Sequence, residues 1–357
     1  EIATAARASV DRDTVLIAET PENDAGYLRP ASESGFGIDA VWVDDFHHSV
    51  HTAASHEHRG YYVDYDGTLD QLARTIRRGW LFEGQPSKLT GAPRGTPSDG
   101  LPARSFIYCI QNHDQIGNRA FGRRLSHLVG PDVDRAWTAL ALLLPYTPML
   151  FMGQEFASSS RFYFFCDHEP SLGRRITEGR RREVAGPAGL DNPREQREIP
   201  DPQSEQTFLD SKLDLRERDE GIGEQTFAMY AELLALRRSD AVLRRQDRER
   251  MRVDVAGELL LVHMWHGREH RLLAANTGIG IDAAPGTLRV PHSLLGREWT
   301  VVASTDDRRY GGTGGQVRFD HSLISMPPHT VAWLSSTDRA LPLRALQAAL
   351  RWIATRS

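Results

Sequence analysis

SFIYCIQNHDQ, residues 105–115, is the stretch that decides how this chain is read. Six mostly apolar residues, Ser105 to Ile110, run without alternation into the polar Asn112-His113-Asp114-Gln115. A short continuous apolar run of this kind suits a strand buried on both faces of a parallel sheet. Three other runs end in the same way. Thr14 to Ala18 ends on Glu19, Ile38 to Val43 on Asp44-Asp45-Phe46-His47-His48, and Pro148 to Met152 on Gly153-Gln154-Glu155. Helical segments lie between and after them. Leu69, Leu72, Ala73 and Ile76 fall at helical spacing within 68–78, Pro145 stops a helix over 132–144, and 225–238 reads as an amphipathic helix. Strands alternating with helices imply βαβ units. In α/β barrels built from such units, the chemistry sits at the carboxyl ends of the strands.

The composition excludes several classes of function. The 357 residues carry a net charge of -5, which gives no electrostatic reason to expect nucleic acid or an anionic membrane as partner. Arginine is frequent but scattered or beside acids, as in Arg180-Arg181-Arg182-Glu183, which reads as a solvated run. Two cysteines, Cys109 and Cys166, do not make a disulfide framework. Cys109, inside an apolar run, reads as a small buried hydrophobe. The lack of a disulfide framework suits a reducing compartment, and a cytoplasmic setting is expected. No signal peptide and no membrane-spanning run is visible, which in a sequence starting at Glu1 says nothing about the full gene. Helical composition at residues 1–9 reads as the end of a longer helix.

After about Asp247 the character changes. Residues 259–262, 272–275, 299–302 and 331–334 are apolar runs separated by Gly and Pro turns, with no helix between them. That pattern predicts a small antiparallel β-sandwich. The expected organisation is a catalytic unit over 1–245, interrupted by a long polar and aromatic insertion near 158–211. A β-sandwich follows over 246–338, and a terminal helix or tail over 339–357.

These motifs, in this order, resemble the α-amylase superfamily of glycoside hydrolases, in particular its trehalose-releasing members. The broad signal is Ile17-Ala18-Glu19, then Asn112-His113-Asp114, then Phe151-Met152-Gly153-Gln154-Glu155. The narrower signal is Ile38 to His48, Gln111 to Asn118, and the aromatic stretch Phe162 to Phe165. The resemblance implies the C-terminal half of a (β/α)8 barrel followed by the small sandwich. It implies a retaining α-glucan hydrolase that cuts the α-1,4 bond beside a terminal trehalose unit of a maltooligosyltrehalose. No cofactor is implied, and the partner is the oligosaccharide substrate. A glucan branching enzyme, another superfamily member, or a noncatalytic glucan-binding protein are the competing readings.

Within the resemblance, Glu19 takes the part of general acid/base, protonating the leaving oxygen and then activating water. Burial beside other carboxylates is what keeps such an acid protonated near neutral pH. On its spacing alone, Glu19 reads rather as an acid opening a helix after a strand, and it is the accompanying motifs that favour catalysis. Asp114 with His113 resembles the transition-state stabiliser, although a loop Asp also caps helices. Asp44, Asp45, His47 and His48 resemble sugar-hydroxyl ligands or organisers of the acid. His47, His48, His51, His56 and His58 with Glu57 raise a zinc site as competitor, but the spacing matches no standard motif, and no metal is expected. Gln115 and Asn118, then Gln154 and Glu155, are weaker candidates for the cleft, and Glu155 reads alternatively as structural. Phe162 to Phe165 reads either as a stacking wall or as core.

The nucleophile is missing from this pattern. The superfamily motif Gly-Phe-Arg-x-Asp precedes the acid, and none of the eighteen residues before Glu19 fits it. Gly35-Phe36-Gly37-Ile38-Asp39 imitates it but follows Glu19 and has Gly where Arg belongs, so Asp39 reads as structural. The sequence therefore predicts the C-terminal portion of a longer hydrolase, inactive by itself, with open sheet edges.

Overall fold

The computed structural model describes residues 1–184, 198–278, 286–289, 291, 294, 297–320 and 323–337. After a short helix α1 (Ile2–Ala8), four strands form a parallel sheet in the order β1-β2-β5-β6. They are β1 (Ile17–Ala18), β2 (Ala40–Trp42), β5 (Phe106–Tyr108) and β6 (Thr147–Pro148). A small hairpin, β3 (Gln85–Pro86) and β4 (Pro93–Arg94), stands apart from it. The register pairs Ala18 with Val41 and Trp42 with Ile107. Glu19, Asp44 and the 111–115 segment therefore all leave the sheet at its carboxyl edge.

The connecting helices are set by local chemistry. Asp44 and Asp45 open α2 (Asp44–Ser55), where carboxylates meet the positive end of the helix dipole. The polar stretch after β2 is thus a helix. Phe46, Val50 and Ala53 form its buried stripe. In α3 (Leu69–Arg78), the Thr68 hydroxyl caps the amide of Gln71, and Arg77 and Arg78 fill the last turn. Gly79 ends that helix at φ +91, where a Cβ would lie 2.5 Å from Cε1 of Phe106. Asn112 and Gln115 form a reciprocal capping box on α4 (His113–Gly117). Two helices follow, α5 (Ser126–Val129) and α6 (Pro131–Leu143), and α6 begins on its Pro.

The described residues of the insertion include helical segments, α7 (Pro170–Val184) and α8 (Glu205–Leu209). Arg180 also departs from its expected exposed setting. It is buried and donates to the carbonyl of Gly117 at 2.7 Å, pinning α7 to the end of α4. Helix α9 (Gly221–Ser239) closes this half of the chain. Its Arg237 reaches under α6 to the carbonyls of Leu142, Leu144 and Tyr146. Burial pushes that guanidinium down to about 10.

The remaining strands are β7 (Met251–Ala256), β8 (Leu259–His266), β9 (Glu269–Asn276), β10 (Gly286–Arg289), β11 (Thr300–Ser304), β12 (Arg318–Asp320), β13 (Leu323–Met326) and β14 (Thr330–Thr337). They form a five-stranded antiparallel sheet, β11-β14-β9-β8-β7, and a three-stranded one, β10-β13-β12. Alternation within the strands explains their unbroken apolar runs. Leu260, Val262, Leu273, Ala275 and Trp333 join the core that contains α3 and α6. Leu259, Leu261, Leu272, Ala274 and Leu334 pack with Ile324 and Met326 of the smaller sheet. The helix expected over 339–357 lies outside the described residues.

The first strand differs most from its sequence reading. Only Ile17 and Ala18 pair, and Val15 and Ile17 are 70% and 49% exposed. Among the described residues no strand pairs with the outer side of β1 or of β6. Leu150 and Met152, beyond β6, are exposed as well. The apolar runs are those of interior strands, but here they stand at open edges.

Candidate active site

An open cleft of about 660 Å³ lies at the carboxyl end of the parallel sheet. Its walls are the start of α2, the 56–62 segment, and the 114–123 segment. Asp44, His48, Glu57, Tyr61, Asp114, Gln115, Asn118 and Arg119 all face it. Carboxylates, amides, imidazoles, guanidinium groups and the rings of Tyr61, Tyr62 and Phe121 form a lining suited to a polyhydroxylated ligand.

The floor is built behind those residues. Asp45 is fully buried. It accepts hydrogen bonds from the Tyr65 hydroxyl (2.7 Å), Asn23 Nδ2 (2.5 Å) and the amides of Leu81 (2.6 Å) and Phe82 (3.1 Å). Arg94 Nη2 lies 3.0 Å from it as an ion pair. Burial pulls the Arg94 guanidinium down, and Asp45, Tyr65 and Asp44 together more than offset this, leaving Arg94 above its ordinary range. Asp45 is therefore an organiser with no path to a sugar hydroxyl, which corrects half of its sequence reading. His47 is corrected likewise. It is 1% exposed, with Nε2 3.2 Å from Oδ1 of Asp44, so it supports the acid that faces the cleft.

His48 does reach the cleft, with Nδ1 3.3 Å from the Tyr65 hydroxyl. Burial, then the nearby His47, Arg94 and His51 charges, hold it well below its usual range. Burial also lowers His51, against the opposing pull of Glu57. An unfolded histidine titrates near 6.5. Below that value the unfolded chain binds more protons than the folded one, so stability falls as the pH drops through it toward the lowered folded values. Each histidine contributes a slope of at most about 1.4 kcal/mol per pH unit. Asp134, which burial pushes up to about 7, acts in the opposite sense, because it keeps a proton that the unfolded chain has lost. The measurement is therefore a difference in urea midpoints between wild type and His48→Asn, from about pH 7 to about pH 5. The wild type is expected to lose more stability over that interval; equal losses would overturn the assignment.

The Asp114 turn is held by its helix cap. The side chain of Asn112 accepts from the Asp114 amide at 2.8 Å, and the Gln115 side-chain oxygen accepts from the Asn112 amide at 2.9 Å. Asn118 Nδ2 donates to Asp114 at 2.6 Å. Gln115 and Asn118 thus face the cleft while orienting Asp114. His113 is exposed at the same end, its ring edge-on to Trp42 at 6.2 Å, and is not part of the cleft lining.

Glu19 is the largest departure. It stands at the carboxyl end of β1, as the motif requires, but it is exposed and is not part of the cleft lining. The burial that the acid role calls for is absent on the open side of β1. Gln154 is also removed from the cleft. It is buried and donates to the Tyr230 hydroxyl at 2.8 Å. Phe162 packs on Phe151 and Phe165, while Phe164 stacks against Arg180, so this aromatic stretch mainly ties the insertion down. Glu57 and Arg119, prominent in the cleft wall, are 62 positions apart and carry no shared sequence signal. Among the described residues no group of three or more His, Cys, Asp or Glu is arranged to hold a metal ion. No helix there is long and apolar enough to cross a membrane.

No family model matches the chain. A malto-oligosyltrehalose trehalohydrolase from Deinococcus radiodurans is 46% identical over 243 residues, 68% of this chain and 40% of that protein. Another, from Rhizobium sp. strain M-11, is 35% identical over 327 residues, 90% of this chain and 50% of the relative. A crystal structure from Salmonella typhimurium, described as a candidate α-amylase, aligns with a TM-score of 0.76 at 30% identity, over 94% of this chain and 53% of that one. The chain belongs to the α-amylase superfamily. It spans half or less of the length of these trehalohydrolase relatives. The four-stranded parallel sheet is accordingly part of the superfamily barrel, and the antiparallel sheets are its separate β domain.

Proposed function

We propose that this chain carries part of the active site of a retaining α-glucan hydrolase that releases trehalose from maltooligosyltrehalose. Glu19 is the general acid/base and Asp114 the residue that favours the developing oxocarbenium charge. Asp44 and His48 are contacts to sugar hydroxyls, supported by His47 and Asp45 from behind, and His113, exposed outside the cleft lining at the same sheet edge, is a contact only for a sugar that extends past the cleft. The observation that carries this reading is the convergence of Asp44 and Asp114 on one polar cleft, with Glu19 leaving the same edge of the same sheet. The similarity to the trehalohydrolases supplies the substrate. An organisation of 1–245 as catalytic unit and 246–338 as β domain accompanies the proposal, and a cytoplasmic setting suits it.

A retaining mechanism needs a nucleophile about 5–5.5 Å from the acid. Asp39, the one imitation of the nucleophile motif, precedes β2 and stands level with Leu16. That is three residues before Glu19, roughly 10 Å along a strand. Its carboxylate is also engaged by Arg7 and by the amide of Leu16, each at 2.7 Å. The 357-residue chain is therefore expected to bind maltooligosyltrehalose without releasing trehalose. Chromatographic detection of trehalose after prolonged incubation tests this. Turnover by the chain alone, lost in Glu19→Gln, would overturn the statement that no nucleophile lies within it.

A further inference from the structure

The 56–62 segment makes one wall of the cleft, and neither the sequence motifs nor the proposed chemistry gives it a task. Two features of it stand out. Tyr61 presents a 52% exposed ring to the cleft, although its neighbour Tyr62 is buried. Its plane lies within 10° of the His48 ring, with centroids 6.3 Å apart. The second feature is a closed set of charges. Both Glu57 carboxylate oxygens are taken by Arg119, at 2.8 and 2.7 Å, and Oε2 also meets His51 Nε2 at 2.7 Å. His51 in turn stacks on Tyr62 at 4.2 Å and 14°.

This arrangement is a bidentate tie between two connections of the sheet. Glu57 lies between α2 and α3, and Arg119 lies just beyond the turn that carries Asp114. A two-bonded arginine–carboxylate pair fixes orientation as well as distance. The tie therefore sets where Tyr61 stands relative to Asp114. A pyranose has an apolar C–H face and a rim of hydroxyls. An exposed aromatic face with Asp44 and Asp114 in the same cleft matches both.

We propose that Tyr61 is a stacking platform for a glucose ring, and that the Glu57–Arg119 pair is the latch holding that platform against the Asp114 turn. The inference rests on the glucan reading above. Tyr61 touches the ligand, whereas Glu57, Arg119 and His51 act through it as positioning residues.

Calorimetric titration of the full 357-residue chain with maltoheptaose tests the proposal. Tyr61→Ala is expected to weaken binding about tenfold or more, while Tyr61→Phe, which keeps the ring, stays within about twofold of wild type. Glu57→Gln and Arg119→Met are each expected to weaken binding, and the double variant no further than the worse single, since both remove one tie. Thermal melting controls for folding, and Tyr61→Ala is expected to melt with the wild type because its ring is half exposed. No binding by the wild-type chain would overturn the glucan reading, and this inference with it. Wild-type binding that Tyr61→Ala leaves unchanged would overturn this inference alone. An equal loss in Tyr61→Phe would assign the contact to the hydroxyl and end the stacking argument.

Discussion

Asp45→Ala is expected to destabilise the chain by about 3–5 kcal/mol, read as a shift in its urea unfolding midpoint. The carboxylate is 0% exposed and gathers donors from four places in the sequence: Asn23, Tyr65, Arg94 and the amides of Leu81 and Phe82. Removing it leaves two backbone N–H groups without a partner and a mostly buried guanidinium without its counter-charge. Arg94 also stacks over Phe82 at 4.9 Å, which holds it at the Asp45 site. Asp45→Asn preserves the volume but turns one oxygen into a donor among donors, and it is expected to cost a large part of the same energy. Asp44 and His48 lie one and three positions away on α2, so sugar binding is expected to fall together with stability. Loss of sugar binding at unchanged stability would instead make Asp45 a ligand.

Asp44 and Asp45 show what the sequence could and could not convey. Their proximity to an apolar strand end was visible, and the cleft does form there. Which of the two faces the ligand depends on the helix they open, where adjacent residues point about 100° apart. The apolar spacing of Phe46, Val50 and Ala53 was the available signal for that helix, and the polar residues around it obscured it. The capping pair Asn112 and Gln115 was equally local and therefore readable in principle. Glu57 and Arg119 were not, because only the packing of two separate connections brings them together. The strand runs fared better than their ends. Thr14 to Ala18 has the composition of an interior strand, yet only Ile17 and Ala18 pair, and they do so with β2 on one side alone. The alternating burial of β8, β9 and β14 was hidden for the opposite reason: both faces are covered, so both look apolar.

The assignment of Glu19 is best tested where a nucleophile is supplied. Joined to the portion of the Deinococcus radiodurans relative that this chain does not match, it is expected to release trehalose from maltooligosyltrehalose. In that protein Glu19→Gln is expected to lower kcat by about 10²–10⁴, the range contributed by a positioned general acid. Such a loss alone does not separate an acid from a residue that merely holds the loop after β1, and the choice of leaving group does. A glucosidic oxygen departs poorly unless it is protonated, whereas fluoride needs little help from an acid. With a maltooligosyl fluoride, the Glu19→Gln protein is expected to release a rapid burst of fluoride near one equivalent. A slow phase should follow, because hydrolysis of the covalent intermediate still needs the base that the substitution removed. A structural role would slow both substrates alike and give no burst. Full activity of Glu19→Gln on both would remove Glu19 from the chemistry and leave its exposed position beside β1 as the simple consequence of ending a strand.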